Sequence, residues 1–129
     1  MGKKKHQILV VDDDPNIRML LEFLLRKKYS ISTRADGLHG LAWISAGNLP
    51  DLIILDIDMP IINGFEFLSR IRESGLYRDI PVIMLSGYEE DDVKKKCLSK
   101  GQCAYLLKPF NPEEVFSTIE QLLKVEMVA

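Results

Sequence analysis

The chain has 129 residues and a mass of 14.7 kDa, which suits one domain with a core of its own. Apolar residues make up 47% and charged residues 28%, and the net charge is −2, so neither a disordered chain nor a generally basic nucleic-acid binder is indicated. No apolar run approaches the roughly 18 residues that a membrane span needs.

Residues 1–5, with Lys3, Lys4 and Lys5, read as a basic tail. The apolar run behind them has four residues, too short for the core of a signal peptide. Ile8 to Val11 is a β-rich run, the first strand. Asp14-Pro15 then supplies an N-cap and a proline at the first helical position. Ile17, Leu20, Leu21 and Leu24 follow at helical spacing, in a helix ending near Lys28. Tyr29, Ile31, Thr33 and Ala35 alternate with polar residues, as in a half-buried edge strand, until Asp36-Gly37 breaks the pattern. Leu38, Leu41 and Ala42 open a second helix, whose Gly40 costs roughly 1 kcal/mol against alanine. Leu52 to Leu55 is a third strand, apolar on both faces. After a loop with Pro60 and Asn63-Gly64, the residues Phe65, Leu68 and Ile71 mark the third helix.

Pro81 to Leu85 is the fourth strand. Acids at 89–92 and lysines at 94–96 and 100 give the fourth helix a polarity that suits its dipole. Ala104 to Leu107 is the fifth strand. Asn111-Pro112-Glu113-Glu114 resembles a capping box and opens a fifth helix carried by Val115, Phe116, Ile119, Leu122 and Leu123. Strands separated by helices run parallel through right-handed crossovers. Three continuous apolar strands and one alternating strand fit an α/β, (βα)5 flavodoxin-like doubly wound sheet of order 2-1-3-4-5. Cys97 and Cys103 have no CxxC spacing and no neighbouring His pair, so reduced packing thiols are expected. Trp43 reads as a packing or surface aromatic, His6 and His39 as exposed, and the lysines at 94–96 as a solvated face.

Ligands of such sheets bind beyond the carboxyl ends of the strands, near the switch in strand order. Those ends carry Asp12-Asp13, Asp56, Ser86 and Lys108-Pro109. Two carboxylates about 5 Å apart repel by roughly 3 kcal/mol at an effective dielectric near 20. Either one stays protonated or a cation sits among them, and a hard ion such as Mg²⁺ takes oxygen ligands of this kind. An aspartate can attack phosphorus, and phosphoryl transfer then requires mainly positioning and charge neutralisation. A nucleophilic acid, metal-holding acids, a hydroxyl and a lysine are the parts for that chemistry.

Taken in order, Ile8-Leu9-Val10-Val11-Asp12-Asp13, Pro50 to Pro60, Asn63-Gly64, Pro81 to Ser86 and Tyr105 to Phe110 resemble the receiver domain of two-component response regulators over residues 6–125. The resemblance implies that Asp56 is the phosphoacceptor, charged by a sensor histidine kinase or histidine phosphotransfer protein. Asp12, Asp13 and Asp56, with the backbone carbonyl of Asp58, would hold Mg²⁺. Lys108 would pair with phosphoryl oxygens, Ser86 would hydrogen-bond the phosphoryl group, and Tyr105 would turn inward as the switch aromatic. The Lys108-Pro109 bond would be cis.

The output would be a population shift of the surface made by the fourth helix, fifth strand and fifth helix, where a downstream protein docks. That implies a cytoplasmic signalling module rather than a dedicated enzyme, stand-alone or part of a larger protein, with no direct contact to nucleic acid or membrane. Ser86 replaces the commoner threonine, Gly87 stands where alanine is frequent, and Asp58 lies where phosphoryl lifetime is tuned. Two other readings stay open at this point. One is a receiver-like scaffold that works without phosphorylation. The other is an aspartyl-phosphate phosphatase of the haloacid-dehalogenase type, suggested by Asp56-Ile57-Asp58.

Overall fold

The computed structural model describes residues 5–87, 91–99 and 102–128, with the side chains of 91, 93, 98 and 124–128 set aside. Residues 1–4 of the expected tail, Glu89 and Glu90 of the expected helix start, and Lys100 lie outside the described residues. Five strands alternate with five helices: β1 (Gln7–Val11), α1 (Pro15–Leu25), β2 (Ser30–Arg34), α2 (Gly37–Ser45), β3 (Leu52–Asp56), α3 (Gly64–Glu73), β4 (Val82–Ser86), α4 (Asp91–Leu98), β5 (Cys103–Leu107) and α5 (Pro112–Val128). All pair in parallel, in the order β2-β1-β3-β4-β5. The flavodoxin-like architecture read from the alternation is the one present.

Period-two alternation splits the core between the two faces of the sheet. Leu9, Val11, Ile53, Leu55, Val82 and Met84 face α2, α3 and α4. Ile8, Val10, Leu52, Ile54, Ile83 and Leu85 face α1 and α5. Strands β3 and β4 are buried at every position, while β2 is only half-buried, as an edge strand is.

Asp14 caps α1 by accepting from the Asn16 N–H at 2.8 Å, an interaction worth about 1 kcal/mol. The helix ends at Leu25, three residues before the expected Lys28. Its buried stripe is centred on Leu21 and Leu25, and Leu20, expected inside, is 42% exposed. Residues at 17, 21, 24 and 25 already cover the apolar face, and the hundred-degree step rotates position 20 off it.

A reciprocal cap lies where only a turn was expected. Asn63 and Glu66 form a reciprocal capping box at α3: the Glu66 N–H donates to the Asn63 side chain at 2.9 Å, and the Asn63 N–H donates to Glu66 at 3.2 Å. Gly40, read as a helix cost, permits close packing, since a Cβ there would stand 3.0 Å from both Phe67 and Val11.

Both cysteines pack in the core as expected, but the expectation that they are reduced is overturned. Cys97 and Cys103 are joined as a disulfide, with Cα atoms 5.9 Å apart. A separation of six residues gives no hint of this, but the last turn of α4 folds back on the first residue of β5 and brings both side chains into one core. That Cα spacing falls inside the range a disulfide can bridge. His6, expected exposed, is half-buried with Nδ1 3.6 Å from Asp51. His39 is exposed as expected, and Trp43 packs at the core margin beneath the Arg34 guanidinium, 5.8 Å from its ring.

Candidate phosphoacceptor site

The parallel sheet brings the carboxyl ends of β1, β3, β4 and β5 to one edge. Asp56 is the last residue of β3, and Asp12 and Asp13 directly follow β1, its hydrogen-bonded neighbour. Oxygen atoms of Asp12, Asp13 and Asp56 lie within 4.8 Å of one another. Asp12 and Asp56 are buried and Asp13 is exposed, so the cluster opens to solvent through one acid.

Lys108 reaches in from the end of β5. Its Nζ lies 3.1 Å from Asp12 Oδ2 and 3.2 Å from Asp56 Oδ1. The Lys108-Pro109 bond is cis, as the resemblance implied. The Lys108 N–H donates to the Ser86 carbonyl at 2.6 Å, which ties the two strand ends together. Ser86 is buried at the end of β4 and one register step beyond Leu85, the partner of Asp56. Tyr105 lies further back on β5, opposite Met84, and packs half-buried against the core on the α4 side. Asp58 is exposed, and its N–H donates to Asp56 Oδ1 at 3.3 Å.

One lysine does not neutralise three acids. Burial pushes the Asp56 carboxyl up to about 7; the Asp12 charge adds to this, and Lys108 opposes it. Burial works against the Lys108 charge, but Asp12 and Asp56 outweigh it and raise its pKa. Three carboxylates with facing oxygens suit a hard divalent cation. The donor set therefore fits a hard divalent cation such as Mg²⁺.

Three supports were not legible in the sequence. Arg18, one turn into α1, donates from Nη1 to the Asp12 carbonyl at 2.7 Å and braces the turn that presents both N-terminal acids. The Asp14 N–H donates to Asp12 Oδ1 at 2.9 Å. Gly64 is required by contact: a Cβ there would lie 2.7 Å from the Asp56 carbonyl oxygen and 2.8 Å from Ile57 Cα. The Asn63-Gly64 pair was visible as a turn, but the approach of the α3 N-terminus to β3 was not.

The family model for the response regulator receiver domain matches residues 8–120. The chain belongs to the response regulator receiver family. Receivers of this kind are signalling modules that work with histidine kinases and downstream effectors. This receiver is 37% identical over 124 residues to the probable transcriptional regulator ycf27 of Cyanidium caldarium, covering 95% of the chain and 48% of that relative. It thus spans about half of that protein. It is 36% identical over 114 residues to an uncharacterized 14.6 kDa protein of Leptolyngbya boryana, covering 88% of the chain and 87% of that relative.

Among solved structures, it resembles the chemotaxis protein CheY4 of Vibrio cholerae (TM-score 0.85, 33% identity, 92% of this chain and 99% of that one). It also resembles a putative response regulator of Chloroflexus aurantiacus (TM-score 0.87, 34% identity, 94% and 99%). No helix among the described residues is long and apolar enough to cross a membrane.

Proposed function

We propose that this receiver accepts a phosphoryl group on Asp56 from the phosphohistidine of a sensor histidine kinase or a histidine phosphotransfer protein. The observation that carries this reading is the buried Asp56 carboxylate at the end of β3, with Lys108 Nζ at 3.2 Å and two further acids within 4.8 Å. An Asp56 oxygen attacks phosphorus, the phosphorus–nitrogen bond to the donor imidazole breaks, and its electron pair stays on the imidazole. The product is an acyl phosphate on Asp56.

Asp12, Asp13 and Asp56, with the Asp58 backbone carbonyl, are the residues that would hold Mg²⁺. When bound, the ion supplies positive charge against the phosphoryl oxygens. Lys108 supplies the second positive charge, from the β5 side, and its ammonium moves from the Asp56 carboxylate to a phosphoryl oxygen. Ser86 donates its hydroxyl to the phosphoryl group, and Tyr105 turns inward behind it. The surface of α4, β5 and α5 then shifts its population toward a form that docks a downstream protein. The module occupies residues 6–125 in this reading and works in the cytoplasm. Asp58 bears on the rate at which the phosphoryl group is lost.

Incubation with acetyl phosphate or phosphoramidate and Mg²⁺ tests the reading by intact mass. One added phosphoryl group is expected, absent from Asp56→Asn and absent with EDTA. A labelled Asp56→Asn variant overturns the assignment.

A further inference from the structure

The Cys97–Cys103 pair lies inside the surface proposed to switch. Cys97 is in the last turn of α4 and Cys103 is the first residue of β5, so the bond between them joins two of its three elements. Both belong to the core on the α4 side of the sheet, the same core against which Tyr105 packs. Cys103, Tyr105 and Leu107 alternate onto one side of β5, since side chains on a strand repeat every two residues.

The described side chains of α4 are mostly exposed. Asp92, Lys94, Lys95 and Lys96 are exposed, and Cys97 is the one buried side chain among those described on this helix. Among these side chains, the Lys96 ammonium also lies over the Phe65 ring of α3, 4.5 Å from its centroid, worth about 0.5–1 kcal/mol at an exposed site. The β5 end is firmly seated. Cys103 is in register with Val82, and the Arg72 guanidinium donates to the Gln102 carbonyl at 3.1 Å and to the Ile80 carbonyl at 2.7 Å. A covalent tie from α4 to β5 therefore couples a helix whose described side chains are mostly exposed to a firmly seated strand.

We propose that Cys97 and Cys103 form a thiol–disulfide exchange site whose redox state governs how freely α4 rearranges on β5. The oxidant it takes is a low-molecular-weight disulfide. Cys103, at 7% exposure against 0% for Cys97, is the entry point. Its thiolate attacks one sulfur of the small disulfide and releases one thiolate. The Cys97 thiolate then attacks Cys103 Sγ in the mixed disulfide and releases the second. The two protons given up by the cysteines end on the two small thiols, and the protein is oxidised by two electrons as the small disulfide is reduced. Closing the bond disfavours the phosphorylated arrangement, because it ties together the two elements that must shift. This part rests on the phosphoacceptor reading.

The test uses the whole chain in glutathione buffers of graded composition, quenched with N-ethylmaleimide and weighed intact. One transition is expected, from two adducts in reducing buffer to none in oxidising buffer. An adduct count that does not change across the series overturns the proposal. The two forms are then labelled with phosphoramidate and Mg²⁺. The ratio of labelled to unlabelled protein at steady state is expected to be about fivefold lower in the oxidised form, the lower end of ordinary coupling between sites. Cys103→Ala should label equally in both buffers, at the level of the reduced wild type. Equal labelling of the two wild-type forms overturns the coupling. Absence of label in both overturns the phosphoacceptor reading instead, and amide hydrogen exchange then decides: α4 must exchange faster in the reduced form, and unchanged protection overturns the redox inference.

Discussion

Replacing Asp56 with asparagine removes one of three crowded carboxylates without changing the shape of the side chain. The folded protein holds the Asp56 proton until about pH 7, whereas an ordinary aspartate loses it near 3.8. At about 1.4 kcal/mol per tenfold change in proton affinity, this caps the cost of ionising Asp56 in the fold at about 4 kcal/mol. Solvent reaching the cluster on the side of exposed Asp13 screens part of that, so about 2 kcal/mol is expected.

The sign follows from proton counting. Between about pH 4 and pH 7 the folded chain binds more protons than the unfolded chain at this site. Wild-type stability therefore falls as pH rises through that window and levels off above it. Asp56→Asn lacks this loss. Urea denaturation without divalent cation, at pH 4.5 and pH 8.5, should show the variant gaining about 2 kcal/mol on wild type at the higher pH and little at the lower. Adding Mg²⁺ at pH 8.5 should restore wild type more than the variant, by mass action on the folded state. Parallel pH profiles for the two proteins would refute the claim that the buried charge is uncompensated.

Three further substitutions probe the scaffold. Gly64→Ala drives a Cβ against the Asp56 carbonyl and the Ile57 backbone, neither of which is a flexible side-chain end, and should cost about 1–3 kcal/mol in thermal or urea unfolding while slowing Asp56 labelling. Ile61 has φ of 71° and is 74% exposed, so it holds a left-handed backbone with little burial in return. Ile61→Asn should raise stability by about 0.5–1 kcal/mol, read as a higher urea midpoint at unchanged slope. Asp51→Ala leaves the Gln7 N–H, now donating at 2.6 Å to Asp51 Oδ2, without its side-chain acceptor at the start of β1, and should cost about 1–2 kcal/mol by the same measurement.

Continuous apolar runs at Ile8 to Val11, Leu52 to Leu55 and Val82 to Leu85 already implied strands covered on both faces, and helical patterns between them implied parallel crossovers. Strand order and the edge that carries the acids followed, because one alternating strand must lie outermost. The acids, the hydroxyl and the lysine were legible for the same reason: each stands directly at or after a strand end, so local sequence position is already spatial position. The Asp14 cap before Pro15 was legible too, being a contact between near neighbours in the chain.

What depended on distance in three dimensions was not legible. Arg18 meets the Asp12 carbonyl only because α1 turns back over the end of β1. Gly64 matters because α3 starts against the backbone of β3, a contact no local pattern encodes. The exposure of Leu20 came from the exact rotation of α1 on the sheet, which several apolar residues could have satisfied in more than one way. The pairing of Cys97 with Cys103 was decided by the return of α4 onto β5. Periodicity thus determined which elements form and where the charged residues stand along them. Packing alone decided which side chains meet, because it depends on helix rotation and approach distance rather than on order along the chain.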